Sequence, residues 1–531
     1  MDALPDRGFI RRRLLLALFL MGMSLTLFVW GAGGISHGDS ERSTPLTVTA
    51  NAQFYPTFGT PNDALVTDDG ANVLVSVTGA TTPCPNKPSP PPTTFTTGVQ
   101  VFSTSDFSNP CGGQQIINFP SSHRLKPVQH VDGMQFFPGS PQVSVAAAIE
   151  RQGAEFSRLV SLNEPCGMDG DRTIQVPQYP ILNCDHCPNC APGTFDVAVT
   201  PDGHHAFLAN EYGQLPSPTP TTETGGGTVG VIKVERDGSG GFTRGTKPVE
   251  PYSTIYIPGG DTIPGITISH DGRYLYVTCE ASHPGMNPDT LNLYRDPTNV
   301  RRTRNGVVLC PGCRHEVDHR NQPFGACDNM SDGPPFTQNG LLAVIDVDKA
   351  TKGMGQDSIV TIVAAGCSPV RAVETEDGQY VWVAARGRNT QLPLPADPDA
   401  RGSQVLGFNR SALVSASPNS AFVGYGDTHG TAPVGMALFK NDTLLAVANS
   451  NRWWQTGSEC TGSPPPDVPP CTANVAIMDV SNPAEPTVIQ TVPAYSNDAF
   501  PRNVTVGPDD STLYVPNADQ NQLEVITTTV K

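Results

Sequence analysis

Along most of the chain a short apolar run meets a tight polar turn and continues as a second apolar run. Ala64-Leu65-Val66 passes through Asp68-Asp69-Gly70 into Val73-Leu74-Val75. Val197-Ala198-Val199 passes Asp202-Gly203 into Ala206-Phe207-Leu208-Ala209-Asn210, and Ile266-Thr267-Ile268 passes Asp271-Gly272 into Tyr274-Leu275-Tyr276-Val277. A fourth copy turns at Asp377-Gly378 and runs on through Tyr380-Val381-Trp382-Val383. Weaker copies turn at Asn441-Asp442 and Asp509-Asp510, ahead of Leu444–Asn449 and Leu513–Asn517. Residues that tolerate positive φ between β-formers predict a hairpin at each of these places.

Spacing sets the architecture. Gly203 to Gly272 is 272 − 203 = 69 residues, and Asp442 to Asp510 is 510 − 442 = 68. Gly70 to Gly203 is 203 − 70 = 133, almost twice that interval, so a hidden copy is expected near residue 137. Phe136–Ala146, with its Pro138-Gly139 turn, fits and makes seven units. Third strands follow at Gly98–Phe102, Val229–Val234, Leu341–Val347, Gln404–Phe408 and Val475–Val480, and fourth strands at Gln115–Ile117 and Ile255–Ile257. Four antiparallel strands per unit, repeated seven times, predict an all-β, seven-bladed β-propeller. The last unit lacks a fourth strand, and Leu46–Ala50 is spare. This N-terminal strand is expected to pair with the last blade beside Leu523–Ile526, closing the ring and removing open edges.

The texture of these repeats resembles the YVTN-repeat, WD40-like propellers; Tyr276-Val277-Thr278-Cys279 and Tyr514-Val515-Pro516-Asn517 carry it most directly. The resemblance spans residues 46–531 as architecture. Some relatives of that group are lactonases of the phosphogluconolactonase type, so it implies a lactonase-like hydrolase as one reading of function. Propellers host many unrelated activities, and the fold by itself selects none.

In such a ring the first-to-second turns share one face, and the second-to-third loops share the other. The turns here are tight, whereas insertions of unusual length fall at about 79–97, 211–227, 281–338, 387–402 and 450–472. Loops this long are usually functional or disordered. Counting seven residues back from each turn gives the channel-mouth candidates Asp63, Asp196, Gly265, Arg371 and Asn503, with Arg502 adjacent. His130 and His429 fall in the connections just before the second and sixth blades. Converging Asp, Arg, Asn and His suit an anionic or polyhydroxylated ligand. The same groups could instead tie blades together by hydrogen bonds, and that reading is preferred for them.

Glycine and proline contribute 52 residues each, and charged residues are only 16% of the 531, which excludes a helical bundle. Lys and Arg number 33 against 50 Asp and Glu, a net charge of −17, so a nucleic-acid partner is excluded. Arg11-Arg12-Arg13 precedes the uncharged run Leu14–Trp30 and Gly31-Ala32-Gly33-Gly34. Residues 1–40 therefore read as a signal peptide or an N-terminal membrane anchor, and residues 41–531 as the propeller. The protein is expected to be exported, whether periplasmic, extracellular or anchored, with membrane contact only through the N-terminus. A monomer is expected.

Thirteen cysteines fit an oxidising compartment. Cys84-Cys111 and Cys460-Cys471 flank loops and read as disulfides. Cys184, Cys187 and Cys190 form one further cluster; Cys310, Cys313, His315, His319 and Cys327 form another. Disulfides are the favoured reading there, with a tetrahedral zinc ion as the alternative. His315-Glu316-Val317-Asp318-His319 matches the zincin spacing, but Pro311, Gly312 and Pro323 leave no helix to carry it. No nucleophile elbow or paired acid stands out. The preferred function is an exported binding module presenting its loops to a polar small molecule or a protein. A lactonase-type hydrolase is the alternative, and a metal-dependent enzyme using the Cys/His clusters a weaker one.

Overall fold

The apolar runs form strands because alternate residues point to opposite faces and turn-formers bound each run. The computed structural model describes residues 46–80, 96–107, 116–118, 130–138, 145–150, 158–162, 172–175, 194–210, 227–236, 246–250, 254–257, 260–261, 263–282, 339–386, 404–415, 418–430, 432–450, 473–495 and 499–531. The first strand, β1 (Val48–Pro56), is followed by the sheet β2 (Thr60–Val66), β3 (Asn72–Ala80), β4 (Thr96–Ser103) and β5 (Ile116–Asn118). The next sheet is β6 (His130–Phe136), β7 (Val145–Glu150), β8 (Arg158–Leu162) and β9 (Arg172–Gln175). In the third, β10 (Thr194–Val199), β11 (His205–Asn210) and β12 (Thr228–Lys233) pair in order, and β13 (Lys247–Pro248) and β14 (Thr254–Tyr256) both pair with β12.

A two-stranded ribbon of β15 (Gly260–Asp261) and β18 (Ala281–Ser282) brackets the start of the fourth sheet. That sheet runs β16 (Gly265–Ile268), β17 (Tyr274–Cys279), β19 (Asn339–Asp346) and β20 (Ile359–Cys367). Then come β21 (Pro369–Glu374), β22 (Tyr380–Ala385), β23 (Gln404–Asn409) and β24 (Phe422–Asp427). They are followed by β25 (Pro433–Phe439), β26 (Leu444–Asn449), β27 (Asn474–Asp479) and β28 (Thr487–Pro493). The final sheet has β29 (Thr505–Val506), β30 (Thr512–Asn517) and β31 (Gln522–Val530), with β1 along its outer edge. Every strand pairing is antiparallel. Each sheet's first strand lies beside the first strand of the next, from β2 through β6, β10, β16, β21 and β25 to β29, and β29 and β30 lie against β2. This is an all-β propeller.

The core lies between blades, and the middle strands are buried on both faces. Val381, Val383 and Ala385 of β22 pack with Tyr276, Leu342 and Val344 of the preceding blade. Trp382 and Ala384, on the other face of the same strand, pack with Met436, Leu445 and Val447 of the following one. That double burial explains why these strands read as continuous apolar runs.

Two expectations change. Leu46–Ala50 does not lie beside Leu523–Ile526: Val48 faces Val530, Ala50 faces Thr528, and Leu523–Ile526 face Tyr55–Ala52. The strand continues past its apolar start because an edge strand needs apolar residues only on its inner face, here Val48, Ala50 and Ala52. The Asp-Gly turns are also longer than two-residue hairpins. Five residues separate Val66 from Asn72, and Thr67 donates to Asp69, whose carboxylate accepts the Ala71 N–H. Thr200, Ser269 and Thr375 repeat that bond to Asp202, Asp271 and Asp377. Gly70, Gly203, Gly272 and Gly378 take φ of 66–70° there, where glycine is unstrained.

Candidate functional site

The residue seven before each turn, or six before Gly139 in the second blade, lies on the innermost strand or just ahead of it. In chain order these positions are Asp63, Gly133, Asp196, Gly265, Arg371, Gly435 and Asn503. Polar residues therefore alternate with glycines until Asn503 meets Asp63. Each glycine makes room for the polar residue of the following blade. A Cβ on Gly133 would stand 2.5 Å from Asp196 Oδ1, one on Gly265 2.2 Å from the Val370 carbonyl, and one on Gly435 2.4 Å from Asn503 Cα.

The polar members form two cross-blade pairs, Asp63 with Asn503 and Asp196 with Arg371. Asp63, 3% exposed, accepts from the Met134 N–H at 2.7 Å and the Ala64 N–H at 2.9 Å. Asn503 Nδ2 donates to Asp63 Oδ1 at 2.5 Å. Asp196, also 3% exposed, accepts from the Ile266 N–H at 3.2 Å and the Val197 N–H at 2.9 Å. Arg371 reaches back across the glycine position of the fourth blade, placing Nη2 3.5 Å from Asp196 Oδ2. Arg502 donates to Asn62 Oδ1 at 2.8 Å, and Asn62 donates to Thr78. Asp63 thus comes together with Asn503, and Asp196 with Arg371. They meet as cross-blade ties, with the two aspartates almost wholly removed from solvent.

Burial dominates the electrostatics. It raises the Asp63 carboxyl above its ordinary range, against the pull of Arg371, Asn503 and the two backbone N–H groups. Asp196 is pushed up to about 6 by burial, with Arg371 pulling down and Asp63 pushing up. One guanidinium shared between two desolvated carboxyls leaves both harder to ionise than in water.

His130 is the first residue of β6, opposite Glu150, and so belongs to a strand and not to the connection. The strand begins earlier than its apolar residues because the ladder needs only backbone partners there. His429 is exposed in the connection before β25, at φ 51°; its N–H donates to Asp427 Oδ1, and its carbonyl accepts from Asn474.

The turn face is locked turn to turn. Asp510 accepts the Lys440 N–H at 2.7 Å, and Arg236 donates to the Pro138 carbonyl at 2.8 Å. Arg410 pairs with Asp271 and lies 3.2 Å from Glu374, which also accepts the Tyr276 hydroxyl at 2.7 Å and the His270 N–H at 2.7 Å. The connections at the opposite ends of the strands are long. Outside the β6–β9 blade, first-to-second turns span five residues or fewer. Second-to-third connections span 15 residues or more, except at the β30–β31 hairpin. A buried Glu280–Arg386 ion pair ties the β17 and β22 ends where two of these connections leave.

Several expected features lie outside the described residues: the N-terminal segment 1–40, Cys84, Cys111, Cys460 and Cys471, and both clusters (Cys184, Cys187, Cys190; Cys310, Cys313, His315, His319, Cys327). Among the described residues no group of three His, Cys, Asp or Glu is placed to hold a metal, and no helix is long and apolar enough to cross a membrane. Cys367, at the end of β20, is disulfide-bonded. Counting back from the turns did not single out Gly133 or Gly435. Their role is to leave space, and a gap has no sequence signature until its neighbour is known.

No protein-family model matches the chain, and no curated protein matches it. Among solved structures it is similar to hydrazine synthase from Kuenenia stuttgartiensis, with 13% identity and a TM-score of 0.48 over 94% of this chain and 100% of that one. It is similar also to the Cps50 (Swd1) β-propeller domain from Myceliophteria thermophila, with 8% identity and a TM-score of 0.46 over 91% of this chain and 100% of that one. A chain of a mitotic checkpoint complex matches with 10% identity and a TM-score of 0.44, over 94% and 97%. At these identities and scores none of them bears on what this chain does.

Proposed function

We infer that the protein is an exported binding module: a seven-bladed ring, closed by β1 on β31, that presents long connections on one face to a polar small molecule or a protein partner. The observation that carries this reading is how the polar groups are used. The axial Asp, Arg and Asn side chains hold neighbouring blades, and the turn face is stitched to itself, which leaves the long-connection face for contact. Support for the closed ring comes from the succession of first strands that returns to β2, and from the β1–β31 ladder. The disulfide at Cys367 favours an oxidising compartment. A lactonase would need polar groups at the mouth that can meet a substrate. The backbone N–H groups bound by Asp63 and Asp196 weigh against that alternative.

Two connections allow a clean test, because they contain no cysteine and their flanking residues face each other: Asn210 opposite Thr228, and Ala385 opposite Gln404. Replacing residues 212–226 and 387–403 by short Gly-Ser links should leave a folded ring that no longer captures partners from its own extracellular milieu. A turn-face variant, Asp442→Asn, should capture them as the parent does. Undiminished capture by the doubly shortened protein would refute the assignment of this face.

A further inference from the structure

Three buried acceptor oxygens without a donor lie on one face of the β30–β31 hairpin: Asn517 Oδ1, Gln522 Oε1 and Glu524 Oε1. Asn517 faces Gln522, and Val515 faces Glu524, across that antiparallel pair, so all three side chains share a face. It is the face that packs on the preceding blade, since Val515, Leu513 and Ile526 belong to the apolar layer with Val475, Val492 and Phe500. Asn517 and Glu524 are 0% exposed.

Equivalent asparagines in other blades are satisfied. Asn210 accepts the Thr194 hydroxyl and donates to Thr228; Asn449 accepts the Thr428 hydroxyl and donates to Asn474. In the last blade the amide is held the other way, because Asn517 Nδ2 donates to Glu524 Oε2 at 2.9 Å. In this orientation the amide meets the carboxylate as donor to acceptor; the reverse would set its oxygen against an ionised carboxylate. No such hydroxyl meets Asn517 Oδ1, and the three oxygens, one from a carboxylate and two from side-chain amides, are a donor set of hard oxygens.

We propose that Asn517, Gln522 and Glu524 form a binding site for a hard, oxygen-seeking metal cation, calcium or sodium, that fastens the last blade to its neighbour. Without a cation, burial pushes the Glu524 carboxyl up to about 8, against the pull of the Asn517 amide. A positive ion at Oε1 would keep it ionised at neutral pH and satisfy all three oxygens together.

The test uses the full chain at pH 7.5, stripped of metal and melted in choline chloride with calcium or sodium added separately. One of the two cations should raise the melting midpoint saturably, by about 1–2 °C at ten times its Kd. Glu524→Gln should abolish that rise. Gln522→Met, at the half-exposed end of the strand, should weaken the apparent affinity at least about threefold, which keeps the test open if Glu524→Gln does not fold. Equilibrium dialysis of the wild type against calcium gives a readout independent of melting. No saturable shift with either cation and no retained calcium would mean that the cluster holds only a proton or a water, overturning the proposal. An equal shift in Glu524→Gln would place the cation elsewhere and overturn it as well.

Discussion

Asp63→Ala separates a structural hub from a ligand site on the ring axis. The substitution strands three buried donors: the Met134 N–H, the Ala64 N–H and the Asn503 amide. Each unsatisfied donor costs roughly 1–3 kcal/mol. Part of that is offset, because the change also removes a carboxyl whose burial disfavours its ionised form. The expected net loss is therefore about 2–5 kcal/mol. Equilibrium urea unfolding, read by the fluorescence of buried Trp382, measures it. The m-value should stay constant while the midpoint falls. Asp63→Asn keeps one acceptor oxygen and should lose less. A loss below about 0.5 kcal/mol, the range of an indifferent surface change, would refute the hub. Unchanged stability together with lost ligand binding would make Asp63 part of a binding site instead.

Other outcomes follow from the same contacts. The folded Asp196 carboxyl keeps its proton to about pH 6 and the unfolded one to near 3.8, so stability should fall as pH rises between those values. The loss should be on the order of 3 kcal/mol, and Asp196→Asn should flatten that slope in urea midpoints taken across the window. Arg410→Ala leaves the buried Glu374 carboxylate without its cation and should cost about 3 kcal/mol by chemical unfolding; a neutral effect would show that the turn-face network contributes little. Gly265→Ala drives a Cβ against the backbone carbonyl of Val370, which cannot swing away, and should destabilise by about 1–3 kcal/mol or more. Thermal melts that overlay the parent would refute the close approach of those two blades.

The sequence by itself determined the repeat, the strands and the position on each strand that points to the axis. Those features are local or periodic: a turn such as Thr67–Asn72 depends on residues within a single hairpin, and a strand such as Tyr380–Ala385 shows its burial in its own apolar run. Composition determined the excess of glycine and proline and where the long connections fall. The tertiary structure decided what the axial residues do. For Asp63 and Arg371 the sequence left both a blade tie, the preferred reading, and a ligand site open, because a sequence shows the charge of a side chain but not the backbone N–H or the carboxyl that meets it from another blade. The tertiary structure also gave Gly133, Gly265 and Gly435 their shared purpose as spaces for a neighbour's side chain. Only packing set Glu524 apart: as one acidic residue in an apolar strand it is unremarked, and its Oε1 becomes conspicuous because it is buried without a donor while Oε2 accepts from Asn517.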